Sequence, residues 1–358
     1  MNMPELRIGH LISRLPIVQG GMGVGISMSG LASAVANAGG IGVIAGAMAG
    51  ITEKDVSTDG LAANCRALSR EIRKAKQKTQ GIIGVNIMVA LTHFADLVKT
   101  AIAEKVDIIF AGAGLPLDLP GFLKNGDRTR LAPIVSSARA AALICKRWFQ
   151  RYGYLPDAVV VEGPKAGGHL GFKAEQIDDP TYCLENLIVA VVAEMDRVER
   201  EHGVRIPIIA AGGVYDGNDI RRFIELGASG VQMGTRFVAT FECDADPAFK
   251  QSYVDSRQED LMVINSPVGL PGRALKNQFL MDVAAGMRHP FRCPYHCIKS
   301  CDPEKSPYCI GLALASARRG KLKNGFAFAG ANAFRVDKIV SVVELMNSLE
   351  AGYDLATT

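Results

Sequence analysis

Residues 207–236 read PIIAAGGVYDGNDIRRFIELGASGVQMGTR. Pro207–Ala211 is a short, continuously apolar run that stops at Gly212-Gly213. Gly217–Leu226 follows with helical patterning. Gly230–Met233 is a second apolar run, closed by Gly234-Thr235. Short runs rich in Val and Ile, without alternation, suit strands buried on both faces. Two of them joined through a helix imply a parallel pair with a right-handed crossover.

Worked outward, the same rhythm covers the first 240 residues. Strand candidates are Pro16–Gly20, Ile41–Ala45, Ile82–Met88, Val106–Ala111, Ala132–Ser136 and Ala158–Glu162, ahead of the two above. Helical segments are Ser29–Ala38, Leu61–Lys78, His93–Glu104, Pro120–Lys124, Ala138–Tyr152, Cys183–Glu201 and Gly217–Leu226. Eight βα units predict an α/β (β/α)8 TIM barrel. An open doubly wound sheet fits less well, because Gly-rich ends follow nearly every strand rather than one switch point. The expected organisation is a barrel over 1–242, an appended insertion over 243–324, and a C-terminal strand or loop and helix (325–358) returning to the barrel. In that last part Lys338–Leu349 reads as an amphipathic helix. The insertion mixes helical stretches, a Pro/Gly-rich segment from Ser266 to Arg273, and a cysteine cluster.

Composition narrows the class. The chain has 358 residues, 48% hydrophobic and 21% charged, which excludes disorder. Glycine numbers 38, well above the usual share of about 7%, and without a collagen period. A net charge of +4 with no Lys/Arg block, and only 6% aromatics, argue against nucleic acid. The N-terminus lacks a signal-peptide layout, and Ile41–Ile51 is too short to span a bilayer. A cytoplasmic protein with no membrane contact is expected.

The glycines gather where a barrel keeps its chemistry, at the C-terminal ends of the strands. Gly212-Gly213 and Gly234-Thr235 end the seventh and eighth strands, where these barrels commonly bind phosphate. Backbone amides, the Thr235 hydroxyl and Arg236 are candidates to hold a dianion. His169 follows two glycines after the sixth strand. Histidine titrates near neutrality and suits proton transfer. Glu162 lies at the same strand end.

Four of the eight cysteines fall within Cys293-x₃-Cys297-x₃-Cys301-x₇-Cys309, with Pro294, Pro303 and Pro307 among them. In a reducing compartment such a cluster reads as a metal or iron–sulfur nest, in which His296 could replace one thiolate. The spacing matches neither a zinc ribbon nor a standard ferredoxin run, so a [4Fe–4S] cluster, zinc and packed thiols all stand. Cys65, Cys145, Cys183 and Cys243 are scattered and read as ordinary thiols.

Several ordered blocks resemble one family. They are Pro16–Gly23, Ala36–Gly42, Gly84-Val85-Asn86, Glu162–His169, Ala210–Gly213 and Gly230–Phe237, with Ser266–Asn277 and the C-terminal helix in support. Together they resemble the nitronate monooxygenase (2-nitropropane dioxygenase-like) family of FMN-binding TIM barrels, which also contains FMN-dependent enoyl-acyl-carrier-protein reductases. The resemblance implies Gly21 and Met22 against the flavin ring and Asn86 hydrogen-bonded to it. It implies Gly212, Gly213, Gly234 and Thr235 at the FMN phosphate, and His169 as the catalytic residue beside the flavin N5. Gly23, Glu162 and Gly168 complete the cofactor-binding set. The chain departs from the family at Lys165, where many relatives carry a Glu; a cation there bears on substrate choice.

The function expected is FMN-dependent oxidation of a small alkyl nitronate or similar anion, with His169 as acid/base. One alternative is an enoyl-thioester reductase drawing electrons from NAD(P)H. Another is a non-catalytic flavin/iron–sulfur redox module. The partner expected is a small-molecule substrate. Whether residues 243–324 form a homodimer interface, a lid or both stays open at this level.

Overall fold

The computed structural model describes residues 3–288, 293 and 295–355. The chain opens with an antiparallel hairpin, β1 (Leu6–Ile8) and β2 (Leu11–Ser13). Strands then alternate with helices: β3 (Ile17–Gln19), α1 (Ser29–Asn37), β4 (Gly42–Ala45), α2 (Gly60–Lys78), β5 (Ile83–Met88), α3 (Phe94–Ala103) and β6 (Ile108–Gly112). Next come β7 (Arg130–Val135), α4 (Ala138–Tyr152), β8 (Val159–Glu162), the two-residue β9 (Gly168–His169), α5 (Leu184–His202), β10 (Ile208–Ala211), α6 (Gly217–Glu225) and β11 (Gly230–Met233).

Eight of these strands form one parallel sheet in the order β3-β11-β10-β8-β7-β6-β5-β4. A parallel bridge between Val18 and Ile41 joins its two ends. The sheet is therefore a closed TIM-type barrel, as expected, and all eight strands lie where the sequence places them.

Period-two geometry explains why the strands read as unbroken apolar runs. Val160, Ile209, Phe110 and Val43 turn inward to the barrel core. Their neighbours Val159, Val161, Ile208, Ile109 and Ile44 turn outward beneath the helices. Leu6, Ile8 and Leu11 of the hairpin join the inward set. The hairpin thus plugs the barrel interior, each fully buried side chain contributing about 1.5–3 kcal/mol.

After β11 the chain makes one short turn of helix, α7 (Thr235–Val238), and leaves the barrel. It builds α8 (Pro247–Val254), the hairpin β12 (Leu261–Asn265) and β13 (Pro271–Leu275), α9 (Gln278–Ala284) and α10 (Ile310–Arg318). Only then does α11 (Val342–Leu355) return, to pack against α6 and α1. The excursion has its own apolar cluster, including Ile264, Phe279, Tyr308 and Phe326.

Three local expectations change. Pro120–Lys124 is not a helix of its own but a single 3₁₀ turn, Leu119–Phe122. Its Pro120 cannot donate to a preceding turn. The Ser266–Arg273 segment is the end of a hairpin, since β13 pairs with β12 along its whole length. The C-terminal helix starts later and runs longer than Lys338–Leu349. Among the described residues no helix is long and apolar enough to cross a membrane.

Candidate active site

A cavity of about 500 Å³ opens at the C-terminal end of the barrel strands. Gly21, Met22, Gly23, Asn86, Glu162, Gly168, His169, Gly212, Gly213, Gly234 and Thr235 all line it. The catalytic and cofactor-binding residues named from sequence, apart from Arg236, thus meet in one place.

Backbone forms much of the floor. A Cβ added to Gly21 would lie 2.4 Å from the Asn86 Cβ, so only glycine lets this loop press against Asn86. Gly212 and Gly213 hold φ of +90° and +100°, which L side chains rarely adopt. That conformation turns the chain sharply at the end of β10. Alternation along β5 and β8 puts Asn86 and Glu162 on the inner side, at the level where the barrel core gives way to the cavity.

The environments of Glu162 and His169 push their titrations in opposite directions. Burial pushes the Glu162 carboxyl up to about 7. Burial also pulls His169 down to about 4, so its imidazole is neutral at pH 7. His169 belongs to β9, which pairs with β13 through Gly272. Its Nε2 lies 2.8 Å from the Ser266 hydroxyl, and its ring meets Phe328 edge-on at 5.0 Å. Ser266 also accepts a 3.4 Å bond from the Val268 amide. The β12–β13 hairpin therefore places the histidine.

Ser266 received no role from the sequence, because it shares no segment with His169. The apolar run Leu261–Ile264 was the available sign of a strand ahead of it. Arg273, on β13, was missed as well. It is 7% exposed, and its guanidinium donates to the carbonyls of Pro164 and Ala166, the latter at 3.1 Å. It pins the loop that leads to His169.

One expectation is corrected. Arg236 does not face the Gly212-Gly213 turn as an anion ligand: its guanidinium lies 4.4 Å over the Tyr215 ring and donates to the Tyr215 carbonyl at 3.1 Å. Thr235 keeps its position, and its Oγ1 accepts from the Gly330 amide at 3.0 Å.

The structure lends no support to the metal nest expected at Cys293, Cys297, Cys301 and Cys309, with His296. Among the described residues no three His, Cys, Asp or Glu converge where they could share a metal ion. All four cysteines are free thiols. Cys293 accepts from the His296 amide at 3.3 Å, and Cys301 faces the Ser306 hydroxyl at 3.8 Å. Burial, then the neighbouring Cys309, Cys293 and Cys301, pushes the Cys297 thiol up to about 12. Pro294 lies outside the described residues. The segment is held by backbone instead: Thr92 donates to the Cys297 carbonyl at 3.1 Å, and Leu91 bridges to Ile298.

A closed β/α barrel with a glycine-floored cavity, paired loops after its seventh and eighth strands and a neutral histidine in the wall has the site of a cofactor-dependent enzyme. The chain belongs to the nitronate monooxygenase family, whose model matches residues 6–352. It is accordingly an oxidoreductase of a family that depends on FMN, not a non-catalytic module.

Relatives carry different names. A nitronate monooxygenase of Pseudomonas aeruginosa is 31% identical over 75% of this chain and 79% of its own length. A Mycobacterium tuberculosis protein, (3aS,4S,5R,7aS)-5-hydroxy-7a-methyl-1-oxo-octahydro-1H-indene-4-carboxyl-CoA dehydrogenase, is 30% identical over 76% of this chain, and the match spans 66% of that relative. Among solved structures, FabK from Thermotoga maritima superposes with a TM-score of 0.73 at 29% identity, covering 96% of this chain and 94% of that one.

Proposed function

We propose that the cavity binds FMN and that the chain oxidises a small alkyl nitronate or a similar anionic substrate. The observation that carries this reading is the meeting, in one cavity, of a bare-backbone floor, the Gly212-Gly213 and Gly234-Thr235 loops, and His169. The residues fit the cofactor. The volume lies within the usual range for ligand sites of about 300–1,000 Å³. Gly21, Gly212 and Gly213 let main chain approach a flat ring and a phosphate without Cβ atoms in the way. Asn86 supplies a polar edge partner, and the amides near Gly213, Gly234 and Thr235 would hold the phosphate.

When bound, FMN supplies the electron-accepting chemistry. The chain's own part is to orient the substrate and move a proton. His169 is neutral at pH 7, so it can accept a proton from an acidic C–H. The Ser266 hydroxyl at its Nε2 fixes the plane of the ring. Phe328, Leu270 and Leu314 form an apolar wall that excludes water beside it.

That same wall favours a second reading, reduction of an enoyl thioester at the expense of NAD(P)H, since an acyl chain would pack there. Anaerobic spectroscopy separates the two. On the first reading an alkyl nitronate alone bleaches the visible flavin band; on the second, NAD(P)H alone does. His169→Ala should lower turnover of the accepted substrate by about 10²–10⁴-fold, the usual contribution of general acid–base catalysis. Unchanged turnover would remove the histidine from the mechanism.

A further inference from the structure

We propose that Lys165 is the cation that neutralises the 5′-phosphate of FMN. The proposal rests on the FMN reading above and adds a residue to it.

The charged lysine, arginine, aspartate and glutamate side chains lining the cavity among the described residues are two, Glu162 and Lys165. Glu162 ends β8 on the inner side of the barrel. Lys165 lies at the other end of the same turn, beside the phosphate loops. Its stem runs along Gly213: a Cβ on that glycine would lie 3.0 Å from the Lys165 Cβ and 3.2 Å from its Cδ. Gly213 therefore leaves room for the lysine as well as for a turn. Lys165 is exposed, and no described carboxylate pairs with it.

Its backbone is unusually well fixed for an exposed residue. Buried Arg273 holds the carbonyls on both sides, at Pro164 and Ala166. The Lys165 carbonyl accepts from the Ala331 amide at 3.0 Å. Gly330, next to Ala331, donates to Thr235 Oγ1. Gly213, Lys165, Gly330 and Thr235 thus form one connected chain of contacts along the loops expected to bind phosphate. Arg236, the other nearby cation, is committed to Tyr215. A phosphate dianion held by amides alone would lack a counter-charge, and an ammonium is the compact point charge suited to supply it.

The test is fluorescence titration of the flavin-free protein with FMN and with riboflavin, which lacks the phosphate. Wild type should bind FMN more tightly than riboflavin. Lys165→Ala should weaken FMN by about tenfold while riboflavin shifts by less than about twofold, and Lys165→Arg should retain most of the preference. Added salt should narrow the preference in wild type more than in Lys165→Ala. Thermal unfolding, with Lys165→Gln as a second variant, establishes that each variant folds.

Failure of wild type to bind either flavin overturns the FMN reading itself. Wild-type preference retained in full by Lys165→Ala and Lys165→Gln overturns the lysine assignment and leaves FMN intact. Equal weakening of FMN and riboflavin overturns it too, in favour of a loop-shaping role. A change in NADPH-over-NADH preference with flavin binding unmoved overturns it in favour of a phosphate on the electron donor.

Discussion

Glu162 and His169 share a cavity and titrate in opposite senses, which makes their contributions to stability separable. His169 falls from 6.5 to about 4 on folding, so between those values the unfolded chain binds more protons and stability drops as pH falls. Glu162 rises from 4.5 to about 7, so across that window the folded chain binds more protons and stability drops as pH rises. The two slopes oppose each other over most of pH 4.5–6.5. Urea unfolding of flavin-free variants should expose them. Relative to wild type, Glu162→Gln should gain stability progressively as pH rises from 4.5 to 7, and His169→Asn as pH falls from 6.5 to 4. Parallel pH curves for wild type and both variants would refute the assignment. The histidine's glycine-flanked position at a strand end was legible in the sequence. Its partner Ser266 was not, because a hydrogen bond between residues 97 apart leaves no local pattern.

At the scale of elements, α1 shows how the excursion after β11 supports the barrel. The helix has no side-chain cap of its own at Met28. Asp244, from the far side of the sequence, accepts from the Met28 and Leu31 amides at 2.9 and 3.2 Å. Gly30 makes space for it, since a Cβ there would lie 2.5 Å from the Asp244 Oδ1. Asp244→Ala should cost about 1–3 kcal/mol in urea unfolding, because it leaves part-buried amides without an acceptor. A loss under about 0.5 kcal/mol would show that water replaces the carboxylate. The strands were readable because burial on both faces imposes a plain composition. Pairing of β9 with β13 was not, since β9 has two residues and no periodicity to detect.

For the whole molecule, the eighth helical position of the barrel is filled by α11, about a hundred residues after the eighth strand. Leu345, Met346, Leu349 and Tyr353 are buried beneath it. Gly217 at the start of α6 comes so close that a Cβ would lie 2.1 Å from the Tyr353 amide. Leu349→Ala should therefore destabilise the entire barrel by about 2–5 kcal/mol, with one cooperative transition. A separate early transition, with the remainder unfolding as in wild type, would show instead that the C-terminal helix is an independent unit.

The barrel, its eight strands and the glycine-rich rim were determined by the sequence alone, because a strand buried on both faces and a turn without side chains each demand residue types visible one segment at a time. The tertiary structure decided what depends on distant segments meeting. It turned Arg236 onto Tyr215 and laid the stem of Lys165 along Gly213 in the cavity wall. It set Ser266 against His169, and among the described residues it gathered no three His, Cys, Asp or Glu where they could hold a metal ion. Spacing brings cysteines near one another along the chain, but shared ligation needs their sulfur atoms to converge in space, and only the packing of the excursion against the barrel determines that.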